Sequence, residues 1–401
     1  MTVLRSPLRP VLRSPLYSPL VGKWGGAFSP SALFQTGDIL LWYDPSDLST
    51  MFKDTAGTQP VTADGDSVGL ILDKGQWGRK TLEQVLAAQT ELRGNGTIGL
   101  VGSATAATYN TATGAGTATR VDGSNQSFVT VPVTGGKAYR VQITNTGAAS
   151  IFLRNGLYSE GTAIFLVPAS SSISYIVTAL SSVLSVTTIA AASSVAFTIT
   201  SIKEVPGYHR TQATGTSMPK HKTDGTLHWL LYDGTDDGHS TGPITWGTDE
   251  VAVCAGITKS SDAATGVIAE LSASSNSNNG AFTLYNFVSD TKFYFESKGT
   301  TKTGAATGAL AAPVTAVLTG LGDISGDSTI IRKDGVEITE TTTDQGTGNF
   351  GSYPLYFGRR GGSSLPFNGR EYQTVIRSRL LSTAELSSLE TFIAAKTGVT
   401  L

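Results

Sequence analysis

The chain has 401 residues, more than one ordinary core accommodates, so two or three domains are expected. Only 15% of residues are charged and the formal net charge is −2, which excludes a strongly basic nucleic-acid face in bulk. The 46 glycines, with abundant Ser, Thr and Ala, favour short strands joined by turns, and no segment reaches the roughly 18 apolar residues of a membrane span.

Residues 1–36 begin with three Ser-Pro-Leu copies, at Ser6-Pro7-Leu8, Ser14-Pro15-Leu16 and Ser18-Pro19-Leu20. Proline fixes φ and biases the preceding residue toward extended backbone, so this run cannot be helical. It reads as an extended anchoring arm. Its Leu4, Pro7, Leu8, Leu12, Pro15, Leu16, Tyr17, Pro19, Leu20 and Trp24 have no apolar face of their own and need another surface to dock on. A mobile tail is the alternative reading. Arg5, Arg9, Arg13 and Lys23 meet no acidic residue before Asp38, and an acidic protein surface would suit them. Prolines interrupt any apolar core of a signal peptide.

Residues 37–90 form a small adaptor segment. Ile39 to Tyr43 and Val68 to Leu72 are candidate strands, Ser46 a candidate cap, and residues 81–92 a short helix or a linker. Asp44, Asp47, Asp64 and Asp66 read as turn and cap residues, with clustered calcium ligands as the sharper alternative.

From 91 to 205 charges thin out. Residues 127–131, 139–143 and 196–200 alternate in strand period, with turns at 134–137 and 145–147, which predicts a β-sandwich. Residues 206–401 hold further candidate strands at 227–232, 251–258, 266–271, 281–288, 292–296, 314–321, 328–333, 336–339, 353–357 and 371–378. Asp334-Gly335 marks a tight hairpin, and a two-sheet sandwich is the natural solution. Cys254, the single cysteine, lies in an apolar run and reads as a buried, inert thiol; the lack of disulfides fits a reducing cytoplasm. The last element is a helix: Ser382 and Glu385 form a capping box, Leu386, Leu389, Phe392 and Ile393 share one face, and Gly398 stands at the C-cap.

Several stretches carry family resemblances. Asp233-Gly234-Thr235-Asp236-Asp237 looks like the opening turn of concanavalin A-like, laminin-G-like jelly rolls. Phe367-Asn368-Gly369-Arg370-Glu371 looks like their late strand entry, with Glu371 where isoleucine is usual. Residues 380–386 are similar to their closure into a final helix. Residues 41–50 with 68–74, and the linker 202–214, resemble tail-associated structural proteins of bacteriophages, in which 91–205 would be a carbohydrate-module-like jelly roll.

The expected fold is therefore all-β, with two consecutive β-sandwiches after a Pro-rich arm and a short C-terminal helix. The resemblance implies a virion structural protein of tail, collar, fibre or decoration type, assembled in the host cytoplasm. Its arm would hold other virion proteins, and self-association is expected, a trimer being a guess from phage fibres. The alternative is an adhesin for host-surface glycan, and a polysaccharide-degrading enzyme is the least supported. Neither nucleic acid nor membrane insertion is expected.

Catalytic signatures are missing. Gly65-Asp66-Ser67-Val68-Gly69 has nucleophile-elbow spacing but precedes a strand, so it reads as a turn. His221 and His228, seven apart around a glycine turn, are not a metal signature, and His209 and His239 add none. Glu270, Glu296 and Glu337 fall on separate predicted strands and Glu340 just beyond the last, without the paired carboxylates of a glycosidase. Glycan binding would use exposed aromatic platforms. Among Trp229, Tyr232, Trp246, Tyr285, Phe293, Tyr294, Phe295, Tyr353 and Tyr356, alternation turns about half inward. Trp246, Tyr285, Tyr294 and Tyr353 are the candidates, with Trp246 after Pro243 the best placed. No cofactor is required; a calcium site would draw on Asp236, Asp237 and Asp323, for which turn chemistry is the simpler reading.

Overall fold

The computed structural model of the chain describes residues 28–78, 80–101, 107–120, 126–156, 162–188 and 193–401. The arm positions Leu4, Pro7, Leu8, Leu12, Pro15, Leu16, Tyr17, Pro19, Leu20 and Trp24 lie outside the described residues.

Alternation folds the described chain into antiparallel strands that form two β-sandwiches, followed by one C-terminal helix. The larger sandwich has two sheets. One runs Lys220–Thr223, His228–Asp233, Asn368–Arg377, Glu250–Lys259, Val314–Asp323, Ser328–Lys333, Val336–Thr341. The other runs Met51–Phe52, Leu70–Ile71, Arg210–Thr211, His239–Thr245, Ser352–Phe357, Gly266–Leu271, Ala281–Asn286, Phe293–Lys298, Lys302–Ala306. Between them lies a core that includes Tyr43, Tyr232, Trp246, Phe282, Phe293, Phe295, Phe350 and Phe357.

The segment expected to be a separate adaptor belongs to this sandwich. Leu40–Tyr43 pairs with the C-terminal strand, Leu40 opposite Arg377 and Tyr43 opposite Thr374. Leu70–Ile71 joins Met51–Phe52 to Arg210–Thr211. The reason is burial: Leu40, Leu41 and Tyr43 are fully enclosed, which a unit of about 50 residues could not achieve alone. The chain thus enters the larger sandwich, leaves it to build the second, and returns. Asp47, rather than Ser46, caps the short turn Leu48–Thr50.

The second sandwich is one continuous path: Ser171–Thr178, Ala138–Asn145, Ser193–Val205, Ala115–Arg120, Gln126–Pro132, Val183–Thr188, Ile151–Asn155, Thr162–Val167, with Thr97–Val101 also on Gln126–Pro132. It closes over its own core of Val129, Val141, Ile151, Leu153, Val186, Val195, Phe197 and Ile199.

Helix α1 (Leu82–Ala87) starts at a capping box formed by Thr81 and Gln84. Helix α2 (Thr383–Thr397) starts at the box of Ser382 and Glu385 and ends on Gly398 at φ 74°. Its Leu386, Leu389, Ile393 and Ala394 cover the outer face of the first sheet, over Leu40, Trp42, Ala252, Cys254, Val317 and Val375. Each large apolar side chain so buried contributes about 1.5–3 kcal/mol. Gly256 permits this approach, since a Cβ there would lie 2.4 Å from Thr397 Cγ2. Burial between sheet and helix pushes the Cys254 thiol well up, consistent with an inert side chain.

The two sandwiches meet at an apolar cluster of Leu70, Leu72, Trp77, Val85, Leu86, Ala138, Ile176 and Val205. Polar contacts lock the joint. Asp73 Oδ1 accepts from the amides of Trp42 and Gly75, both at 2.8 Å, and Oδ2 from the amide of Tyr208 at 2.9 Å. Trp77 Nε1 donates to the Pro206 carbonyl at 2.8 Å, and Tyr43 Oη to that of Tyr208 at 2.5 Å. Among the described residues, no helix is long and apolar enough to cross a membrane.

Candidate functional site

Helix α2 covers the outer face of one sheet; the opposite sheet turns its outer face away from the core, and this face carries the candidate site. In Phe293–Lys298, Phe293 and Phe295 point inward, so Tyr294 and Glu296 point out. In Ala281–Asn286, Phe282 and Leu284 point inward, so Thr283 and Tyr285 point out. The register sets Tyr285 directly opposite Tyr294 and Thr283 opposite Glu296.

The two tyrosine rings stack with centroids 5.4 Å apart and planes 18° from parallel. Phe287 stands edge-on to both, at 6.5 Å from Tyr285 and 6.0 Å from Tyr294. Phe287 and Val288 are exposed. Each phenol is tied to a carboxylate: Tyr285 Oη donates to Glu296 Oε1 at 2.9 Å and Tyr294 Oη to Asp290 Oδ2 at 2.6 Å. That bond, with burial second, pushes the Tyr294 hydroxyl up to about 12. Burial and then the Glu296 charge raise Tyr285 further. Both hydroxyls are therefore protonated, oriented donors at neutral pH, and the rings form a fixed aromatic platform.

The rim is charged and paired. Lys302 Nζ reaches Glu296 Oε2 at 3.0 Å and Asn276 Oδ1 at 2.9 Å. Lys292 lies 3.2 Å from Asp290. Arg360 Nε sits 2.9 and 3.1 Å from the two oxygens of Glu270. Glu270 is fully buried beneath Arg360 and the amide of Ser275. Glu270, Thr283 and Glu296 occupy one cross-strand row. Two strand spacings put the carboxylate-bearing backbones roughly 10 Å apart. A hydrolytic pair needs an acid that reaches the scissile bond, and Glu270 is sealed off.

Of the predicted glycan contacts, the fold brings Tyr285 and Tyr294 together and separates the others. Trp246 is a correction: it is 3% exposed, packs against Phe282 and Phe350, and donates Nε1 to the Glu250 carbonyl at 3.1 Å. The preceding Pro243 lies inside a strand at a register shift, so the expected loop is sheet. Tyr353 turns against the core and donates to the Asn279 carbonyl at 3.1 Å. Phe287 escaped the sequence reading, although its place two residues after Tyr285 puts it on the same side of an extended chain.

The metal candidates also divide. Asp236 and Asp237 gather with Asp233, one carboxylate oxygen of each within 4.8 Å of the others. Asp323 is elsewhere, its Oδ1 accepting from the Gly326 amide at 2.8 Å as a turn residue, so the trio as expected does not assemble. In the cluster, Asp233 Oδ1 accepts from the Thr235 amide, Asp237 Oδ2 from the Asp233 amide, and Asp236 Oδ2 from Ser217 Oγ. Burial, then the Asp233 charge, pushes Asp237 up to about 6. These bonds are turn chemistry. Asp66 accepts from the amides of Thr62 and Ala63 in the same manner. His221 is buried and its Nε2 meets His228 Nδ1 at 3.1 Å.

No family model and no curated protein matches the chain. Among solved structures, the CBM40 of Ruminococcus gnavus IT-sialidase is 17% identical, covering 36% of this chain and 84% of that one, with a TM-score of 0.31. A native heptameric SAP-like pentraxin from Limulus polyphemus is 14% identical over 42% of this chain and 83% of that one, with a TM-score of 0.34. Trypanosoma rangeli sialidase is 11% identical over 49% of this chain but only 30% of its own length, with a TM-score of 0.35.

Proposed function

We propose that the open face of the larger sandwich binds carbohydrate, with Tyr285, Tyr294 and Phe287 as its apolar platform and Glu296 and Asp290 as acceptors for sugar hydroxyls. The carrying observation is the stacked tyrosine pair, held by two carboxylates on a sheet face that no helix among the described residues covers. Sugar rings present C–H faces to aromatic planes and hydroxyls to the rim. Sites for small ligands combine such an apolar surface with a few placed polar groups. Both Glu296 oxygens and Asp290 Oδ1 hold one partner each and keep a second lone pair for a ligand, whereas Asp290 Oδ2 holds both Tyr294 and Lys292. Sealing of Glu270 supports binding without hydrolysis.

The test is a glycan panel on the full chain, followed by calorimetry on the tightest glycan. Tyr294→Ala and Tyr285→Ala should each weaken it about 30-fold, the effect of losing a central aromatic anchor of ~2 kcal/mol. Unchanged affinity in both variants, or silence across the panel, would reject the reading.

A second reading is a virion building block held by its arm. Its basis is the Ser-Pro-Leu repeats, which lack an apolar face of their own. Removing residues 1–27 should then abolish incorporation into particles while leaving the thermal midpoint unchanged. Particles that still take up the shortened chain would end this reading.

A further inference from the structure

Resting on the carbohydrate reading above, we infer that the tyrosine platform selects uncharged sugars and disfavours those bearing a carboxylate. The reason is the state of its cations. Nearest the rings stand Lys292, Lys302 and Arg360, and each is committed to one acid: Lys292 to Asp290 at 3.2 Å, Lys302 to Glu296 at 3.0 Å, Arg360 to Glu270 at 2.9 Å. Lys298, opposite Lys302, is buried and donates to the Asn276 carbonyl at 2.9 Å. The formal charge of these three pairs is zero. Arg360 is bound through both Glu270 oxygens and cannot leave without stranding a fully buried carboxylate.

A carboxylate on a ligand would have to take Lys302 or Lys292 from its partner. Taking Lys302 would leave Glu296 with the Tyr285 hydroxyl alone and set two like charges side by side over the rings. Taking the Lys292 ammonium would leave Asp290 with the Tyr294 hydroxyl and the Lys292 backbone amide, again without a cation. Like-charge juxtaposition is how a site rejects a wrong partner. A neutral hexose leaves every pair intact. Its hydroxyls donate to the spare lone pairs of Glu296 and Asp290, and its ring lies on the aromatic plane.

The pairing also predicts how selectivity can be moved. In Glu296→Gln the amide oxygen still accepts from Tyr285, but Lys302 loses its ionic partner and becomes available to a ligand carboxylate.

The experiment titrates the full chain with matched probes that differ only in charge: lactose against 3′-sialyllactose, and a glucose oligomer against its glucuronic-acid counterpart. The wild-type chain should bind the neutral member of each pair at least ~10-fold tighter, a difference of about 1.4 kcal/mol. Glu296→Gln, checked for an unchanged melting midpoint, should shrink that ratio severalfold. If the acidic members bind as well or better, this selectivity is overturned while the carbohydrate reading stands. If none of the four binds at millimolar concentration, the selectivity falls, and the glycan panel alone decides the carbohydrate reading.

Discussion

Replacing His209 with glutamine should give a protein less stable than the parent at pH 7, with the gap closing by about 3 kcal/mol as the pH falls to 4. His209 sits buried in the joint between the sandwiches. Its Nδ1 accepts from the Asp73 amide at 3.0 Å, and its Nε2 lies 3.1 Å from the Val205 carbonyl. The first bond needs a bare Nδ1, so Nε2 carries the proton and donates to Val205, and the ring is neutral. Burial pushes its pKa down to about 4. A histidine depressed in the folded state stabilises fully above its unfolded pKa of ~6.5, and that contribution drains away between pH 6.5 and 4. Glutamine has no such proton to refuse.

Asp73 works in the opposite sense. Burial raises its carboxyl to about 6 against three backbone N–H bonds, so the folded state takes up its proton first as the pH falls. It is present in both proteins and cancels in their difference. Urea unfolding of the pair at several pH values reads the gap directly; a gap independent of pH would mean that His209 is solvated in the folded state, and a gap that widens toward low pH that it is charged there.

What the sequence displayed was local. The capping box of Ser382 and Glu385 announced helix α2, and Asp334-Gly335 announced a hairpin in which both residues take positive φ, 47° and 80°. Short apolar runs between turn residues located Gly266–Leu271 and Ser328–Lys333 to the residue. Lys302–Ala306 and His239–Thr245 escaped because their Gly, Ala, Thr and Pro residues carry little alternation, and the sheet beside them supplies the reason to be strands. The pairing of Leu40–Tyr43 with the last strand joins the two ends of the described chain, and nothing local signals it.

The candidate site shows the same division. Alternation placed Tyr285 and Tyr294 on one kind of face, and the register that stacks them needed the fold. Trp246 went astray because Pro243 suggests a loop, whereas proline is tolerated where a strand's register breaks. One signal was available and unused. Glu371 stands where the resembling family has isoleucine, beside Tyr372, Val375 and Ile376, and a carboxylate in a core strand requires a buried cation. Arg210 is that cation, 161 residues earlier in the chain.

Arg210→Met should cost about 3–5 kcal/mol, the effect of leaving a buried charge without its partner. Arg210 Nη1 sits 2.8 and 2.9 Å from the two Glu371 oxygens, and both side chains are almost wholly enclosed. Burial drives the Glu371 carboxyl up, but Arg210 and the hydroxyls of Thr374 and Tyr232 outweigh it and hold the group below its ordinary range. The guanidinium lies between the rings of Tyr43 and Phe357, 3.8 and 3.3 Å from their centroids. It therefore ties the first strand of the sandwich, the strand that re-enters after the inserted module, and the C-terminal strand into one contact. Removing the arginine leaves a carboxylate held by two hydroxyls in an apolar core. The pair itself is a different matter, since desolvation absorbs much of the attraction between its members. Arg210→Met with Glu371→Leu should accordingly recover most of the loss, though Tyr232 then lacks its acceptor. Chemical unfolding of the parent, the single and the double variant decides it. A single variant within about 1 kcal/mol of the parent would show that the ion pair does not hold these strands together, and a double no better than the single would show that the arginine acts through its packing on Tyr43 and Phe357 instead.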